Sequence, residues 1–510
     1  MLFPGIYLCV IEKWYSYPGD CHTRKADWFA MTGNSTNSNF PICRVKRICV
    51  KYKNFAPPLR RGKGLRKDEK NMDYPVSSFG AVGDGVTKDT AAIQRAIDLC
   101  SASGGGRVVL ESGKTYYSAS LHLKPLVELH LARGSVLLAS SDINDYFRPN
   151  SQADEGVRRI GTPVTRKPSY AFLYAKDADN IAISGAGAID GNAWAFVRQV
   201  SPYYATGDFY PRPTLVYVEH CNHISFTEVT MRNAPFWTLH PAGCDDVLIS
   251  EIRILNSLMV ANSDGIDPDH STNVRILGCH ITCADDCICL KSSAGNMEYG
   301  PTKNIVISGC TLVSTSAALK IGTEGTGDFA NVIVDNCVIS GSNRGISIQV
   351  RDGGNVENVS FSNIIIETRR FADCWWGCAE PITITVHDRD EETPAGHVSG
   401  IRFRNITCDS ENGVFLSGSL GNEIEDVLFD GVEVTLSAKT KWERGLYDLR
   451  PGLNKGIEKR KSPGFFLRDV QGVTLRNCRV RFRGEDLSDF GEALYTERCA
   501  EVTLENFRER

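Results

Sequence analysis

Several familiar features are missing from this chain, and each absence narrows what it can be. No run approaches the ~18 consecutive apolar residues of a membrane-spanning helix, so no helical membrane span is expected. Positive charge is scarce beyond the N-terminus: residues 1–71 hold 14 Lys and Arg against 5 Asp and Glu, and the remainder holds 43 against 56. A body this acidic excludes nucleic acid as a partner, because phosphates are met with Lys and Arg. No secretory leader is expected either, since Leu2–Ile11 is apolar but lacks a basic flank and runs straight into Glu12, a poor signal peptide. The first 71 residues also lack sustained periodicity and end in a basic Pro/Gly/Arg/Lys run, Pro57–Lys70. They read as an extension outside the fold, disordered or translated from upstream of a start at Met72. A basic arm for an acidic partner is the alternative.

The remainder has globular character, and the whole chain is 42% hydrophobic and 23% charged. From Phe79 a Gly-rich strand–turn leads into a helix predicted over Thr90–Ser101, with Asp89 or Thr90 as N-cap. Ile93, Ile97 and Cys100 recur at helical spacing, and Gly104–Gly106 ends the helix.

Beyond the helix one unit recurs: polar, Val or Ile, x, apolar, x, small or polar, apolar, x, apolar. It starts at Asn180, His223, Asp246, Asn273, Asn304, Asn331, Asn358, Gly400, Asp426, Gly472 and Glu501. Most starts lie 23–31 residues apart, with intervals of 43, 42 and 46 where insertions intervene, the signature of stacked coils. Each unit is β-branched and too short to make a core alone, so the coils must stack. The seventh position is always apolar or Cys, as in Val229, Ile252, Cys279, Cys310, Cys337, Ile364 and Cys478. The cysteines are therefore expected as small core residues rather than disulfide partners. Leading Asn and Asp residues suit turns, where their side chains bond local backbone. The expected fold is all-β: a single-stranded right-handed parallel β-helix over residues 72–510, capped at its N-terminal end by the helix.

On this frame Asp264 precedes Asp285 and Asp286 by 21 and 22 residues, about one coil. Neighbouring strands sit roughly 4.8 Å apart, so three carboxylates can converge on a stiff scaffold. Like charges that close retain at least one proton. An acid beside ionised carboxylates is what glycoside hydrolysis needs. Adjacent Asp285 and Asp286 would face opposite ways in a regular strand, so both can serve one site only if the chain turns there.

These residues resemble glycoside hydrolase family 28, the polygalacturonase-like enzymes, whose fold is the pectin-lyase-like solenoid. The blocks are FGAVGDGVTKDTAAIQRAI (79–97), GAGAIDG (185–191), NAPFWTLHPAGCDDV (233–247), NSDGIDP (262–268) and ADDCICLKS (284–292). The resemblance implies Asp285 as general acid, Asp264 and Asp286 on the attacking water, and inversion by single displacement. It implies no cofactor or metal, and an oligosaccharide or polysaccharide partner.

The pattern departs from the family one coil on. Ser316, Ala317 and Ala318 stand where Gly-His-Gly would be, and Ser347 and Gln349 replace the Arg and Lys that hold a uronate. Lys320, Arg344 and Arg351 lie nearby and are candidates to reshape the subsite. Arg344 shares its offset with Asp286 and Ala317, 13 residues into its unit. The insertion after Asn358 supplies Trp375 and Trp376 for stacking on sugars and Arg389 for a carboxylate, and KWERGLYDLRPG (441–452) reads as a second wall loop.

The leading expectation is a hydrolase of α-linked pectic or related oligosaccharides, exo-acting if the insertions close the groove, and not specific for plain polygalacturonate. A Ca²⁺-dependent lyase using the DGIDPD carboxylates (264–269) is one alternative. A non-catalytic carbohydrate-binding β-helix is the other. The cysteine pattern and missing leader point to a reducing, cytoplasmic setting; oligomeric state is left open.

Overall fold

A computed structural model describes residues 72–149, 168–206 and 211–509, so the expectations for residues 1–71 lie outside the described residues. The body is a right-handed parallel β-helix, and among the described residues it is all-β apart from one α-helix and short 3-10 turns. The second position of each unit pairs with the second position of the next. Ile224 pairs with Val247, Val247 with Val274, Val274 with Ile305, Ile305 with Val332, and so on to Val502. These β-branched side chains form a continuous buried column, with one exception at the exposed C-terminal end. The sequence frame is therefore the coil frame.

Two left-handed residues bend each unit. All eleven unit starts have φ between 49° and 69°, and the sixth positions are also left-handed, from Gly185 through Asn363 to Asn506. That conformation is costly for side chains other than Asn, Asp and Gly, which explains the composition of both positions. The Asn side chains, however, bond across coils rather than to local backbone. Asn304 donates to Asn273, Asn331 to Asn304 and Asn358 to Asn331 at 3.1, 3.0 and 2.7 Å. An amide carries donor and acceptor together, so identical side chains one coil apart satisfy each other.

The cysteines behave as core residues. Every described cysteine is free, and Cys279, Cys310 and Cys337 are buried one above another in the seventh position. The Thr90–Ala102 helix closes the N-terminal end, burying Ile93, Ile97 and Cys100. Asp89 occupies its N-cap position without capping it. Its carboxylate accepts instead from Val82 N and Gly83 N at 2.7 and 3.0 Å, pinning the preceding Gly-rich turn.

A second sheet face carries the insertions. Its strands include Leu239–Ala242, Ile288–Ser292, Ala317–Gly325, Arg344–Val350, Ile382–Val386, Val414–Ser417 and Phe465–Arg468. Ile266 bridges Leu239 on one side and Ile288 on the other, so the Asp264–Asp269 coil lies within this face.

Candidate active site

The two aspartate clusters are on neighbouring coils. Gly265 N donates to Asp286 O and Ile266 N to Cys287 O, each at 2.9 Å. Glycine is required at 265 because a Cβ there would stand 2.3 Å from Cys287 O. The chain bends through Ala284–Asp285 instead of continuing as a strand, which lets both adjacent carboxylates reach one place. One oxygen each from Asp264, Asp285 and Asp286 lies within 4.8 Å of the others.

The environment separates the three. Burial pushes the Asp285 carboxyl up to about 6, with the neighbouring Asp286 charge adding to it. Asn262 N, at 3.2 Å, opposes this only weakly. Asp286 is also buried, yet its carboxyl is held below the usual range by Lys320 and Lys291. Lys320 Nζ donates to it at 2.7 Å, Ser316 Oγ at 2.9 Å and Ala317 N at 3.2 Å. Burial and the charges of Asp285 and Asp267 push Asp264 well up. A retained proton and an ionised carboxylate thus sit on consecutive residues.

Lys291, within the ADDCICLKS block, is the central cation of the site. Its Nζ lies 3.5 Å from Asp264, 3.6 Å from Asp267 and 3.2 Å from Glu324, and 4.3 Å from the Trp237 ring centroid. Asp267 is fully buried, neither of its oxygens receives a hydrogen bond, and burial pushes its carboxyl well up. Strand alternation could have pointed to Lys291, since it places Lys291 two residues from Cys289 on the same side of the Ile288–Ser292 strand. Nothing comparable marked Asn262, Ser316 or Glu324.

The predicted binding residues divide. Lys320 stands at the carboxylates, as described. Arg344 pairs in register with Ala317, which adjoins Asp286. Its guanidinium, however, turns into the wall, 3.2 Å from Glu380 and 3.0 Å from Asp448 O. Arg351 is completely buried and donates to the carbonyls of Val350, Thr385 and Leu449, so it pins a loop and has no edge for a sugar. Arg389 is likewise buried, paired with Asp352 and bonded to Thr323 O at 3.0 Å. Trp375 packs inside the wall against Ala261, Ala284 and Tyr204, its indole N–H on Tyr203 O at 3.0 Å. Trp376 alone of the pair is substantially exposed.

Ser347 and Gln349 are buried on the sheet, so the positions of the missing cations are filled by neutral floor. The carboxylates proposed for Ca²⁺ do not gather either. Asp269 is bound by His240 Nε2, Ser293 N and Asn296 Nδ2 at 3.1, 2.8 and 2.8 Å, while Asp267 faces Lys291. Among the described residues, the carboxylates that converge closely enough for a cation are Asp264, Asp285 and Asp286. His240 and His270 are buried packing residues, the latter donating from Nε2 to Ser293 O at 3.0 Å.

Comparison with known proteins identifies the family and the fold. The family model described as glycosyl hydrolases family 28 matches residues 152–445. A Vitis vinifera protein named "Probable polygalacturonase" is 33% identical over 261 residues, 49% of this chain and 51% of that protein. An endo-polygalacturonase of Pectobacterium carotovorum subsp. carotovorum is 26% identical over 356 residues, 68% of this chain and 84% of that protein. The chain spans about half the length of the plant relatives it matches. The family 28 exopolygalacturonase structure of Yersinia enterocolitica superposes with a TM-score of 0.64 at 19% identity, covering 84% of this chain and 78% of that one.

Proposed function

The chain belongs to glycosyl hydrolases family 28, and on that premise we propose that it hydrolyses α-glycosidic bonds in pectic or related oligosaccharides. The observation that carries this is the split between Asp285, protonated up to about pH 6, and Asp286, kept ionised beside Lys320. Asp285 protonates the glycosidic oxygen as the bond to the anomeric carbon breaks. Asp286, with Asp264, orients a water and takes its proton, so that hydroxide character develops as the anomeric carbon turns oxocarbenium-like. Lys320 is a positioning residue that holds Asp286 in its basic form.

Inversion is part of the proposal. The nearest carboxylate oxygens are within 4.8 Å, closer than the about 6.5–9.5 Å between carboxyl groups usual for single displacement. The water must therefore sit beside the Asp264–Asp286 pair rather than between acid and base. Proton NMR of the first-formed anomer decides the outcome.

Exo action is supported by a wall across the sheet face. The Leu446–Asp448 and Ile457–Lys459 strands form a hairpin, and the same loop seats Tyr447 and Leu449 on Phe415 and Phe466. The neutral Ser347 and Gln349 floor favours a chain other than plain polygalacturonate. The free cysteines fit the proposed reducing, cytoplasmic setting.

Asp285→Asn should lower turnover on pectic oligosaccharides by about 10²–10⁴-fold, with saturated products and no effect of chelator on the wild type. An ultraviolet-absorbing unsaturated product, or loss of activity with chelator, would support the lyase instead. Saturable binding without any cleavage would support a carbohydrate-binding β-helix.

A further inference from the structure

The wall holds an aromatic–guanidinium pair that the aspartate chemistry does not use. Arg344 opens the strand beside Ala317, with Asn343 just before it, and Ala317 in turn lies beside the Asp285–Asp286 turn. They are thus two coil spacings from the carboxylates, roughly 10 Å. Asn343 Nδ2 donates to Trp376 O at 2.9 Å, fixing the insertion directly over this position. Trp376 is 38% exposed, in contrast to its buried neighbour Trp375.

Arg450 reaches the same place from the other wall loop. Its guanidinium carbon lies 5.2 Å from the centroid of the Trp376 ring. Asp448 orients it through two bonds of 2.8 Å, to Nε and Nη2. Asp448 is itself buried and tied to the Trp376 loop through Gly377 N at 3.2 Å. A surface arginine held this way has lost its rotamer freedom before any ligand arrives, and its third nitrogen, Nη1, makes no hydrogen bond. The pair is pre-organised and half-exposed, and Asn343 anchors it beside the strand two coils along the sheet face from the Asp285–Asp286 turn.

We propose that Trp376 and Arg450 form an end-wall subsite that binds a uronic acid residue of the substrate, the indole stacking on the sugar ring and Arg450 Nη1 donating to its carboxylate. This relocates the acidic-sugar contact from the floor, where Ser347 and Gln349 stand, to the wall. Stacking on an indole needs only the apolar face of a pyranose, whereas the guanidinium discriminates a carboxylate from a hydroxymethyl group. The inference rests on the hydrolase reading of the aspartate centre.

The test is calorimetric binding to the full chain carrying Asp285→Asn, which holds substrate without turnover. The probes are trigalacturonate and the same trisaccharide with its carboxyls reduced. Arg450→Gln should weaken trigalacturonate at least about tenfold and leave the reduced probe unchanged. Trp376→Ala should weaken both, and Arg450→Lys should restore part of the trigalacturonate affinity. Unchanged thermal midpoints across the three variants separate lost binding from a collapsed wall. Equal losses for both probes with Arg450→Gln, no loss, or no binding of trigalacturonate would overturn the subsite. The hydrolase reading fails independently, through an unsaturated product or no cleavage by the unsubstituted chain.

Discussion

The Asp285–Asp286 turn and the Asn343–Arg344 turn occupy equivalent places on one sheet face, two coils apart, and they treat buried charge in opposite ways. At the first, Asp264, Asp267, Asp285 and Asp286 crowd against Lys291 and Lys320. Asp264 Oδ1 and both oxygens of Asp267 receive no hydrogen bond. At the second, Arg344 meets Glu380 and the carbonyl of Asp448, and Arg351 is bonded almost wholly to carbonyls. A repeating scaffold offers the same geometry at every coil. On the proposed mechanism, uncompensated charge makes one coil a proton-transfer site, whereas paired charge makes the other the anchor of a wall.

That contrast predicts opposite phenotypes from substitutions at the two turns. Asp286→Asn should cut turnover by about 10²–10⁴-fold while leaving the denaturation midpoint unchanged or raised. Arg344→Ala leaves Glu380 buried without its partner and should cost about 3–5 kcal/mol, read by urea denaturation, with the hairpin near Tyr447 becoming open to protease. An active-site variant that unfolds, or an Arg344 variant of full stability, would break the comparison.

Lys320→Met sharpens the first turn. Lys320 lowers the pKa of both Asp286 and Asp285. Its removal should therefore move both limbs of the pH–rate profile to higher pH, by about one unit on the acid side. The wild-type alkaline limb should lie near 6, where Asp285 loses its proton. A drop in rate with both limbs in place would argue against the positioning role.

The crowded carboxylates also set stability against pH. Asp264, Asp267 and Asp285 all have carboxyls raised on folding. Their contribution is full below the unfolded carboxyl range, about 4, and is lost as pH rises through the folded values, for Asp285 about 6. Glu324, held down to about 2 beside Lys291, works the other way and is lost only in strong acid. Thermal midpoints should therefore decline from mildly acidic to neutral pH, and Asp267→Asn should flatten that decline.

The smallest effect belongs to the outer ladder. Asn331→Gly keeps the left-handed backbone and removes only amide bonds to Asn304 and from Asn358. It should cost about 1 kcal/mol, and Asn331→Ala more, because alanine resists that conformation.

The repeat made the fold legible before any coordinates, because a column of Val and Ile at one unit position is also the physical column of the core. It made the aspartate gap legible for the same reason: 21 residues is one coil. Side-chain direction within the insertions was not legible. Arg351, Arg389 and Trp375 were expected to face a sugar and instead lock loops to the sheet. No periodicity governs an insertion, so composition marked the right loops without telling which residue of each points outward. Arg450 shows the converse, since its role depends on Asp448 and Trp376 meeting from separate insertions.

The general-acid assignment of Asp285 is most directly tested by comparing two substrates of one sugar class, a pectic oligosaccharide and an aryl glycoside whose leaving group departs without a proton. Asp285→Asn should lose far more activity on the oligosaccharide than on the aryl glycoside, whereas Asp286→Asn should lose both alike. Equal losses with Asp285→Asn on the two substrates would contradict the account.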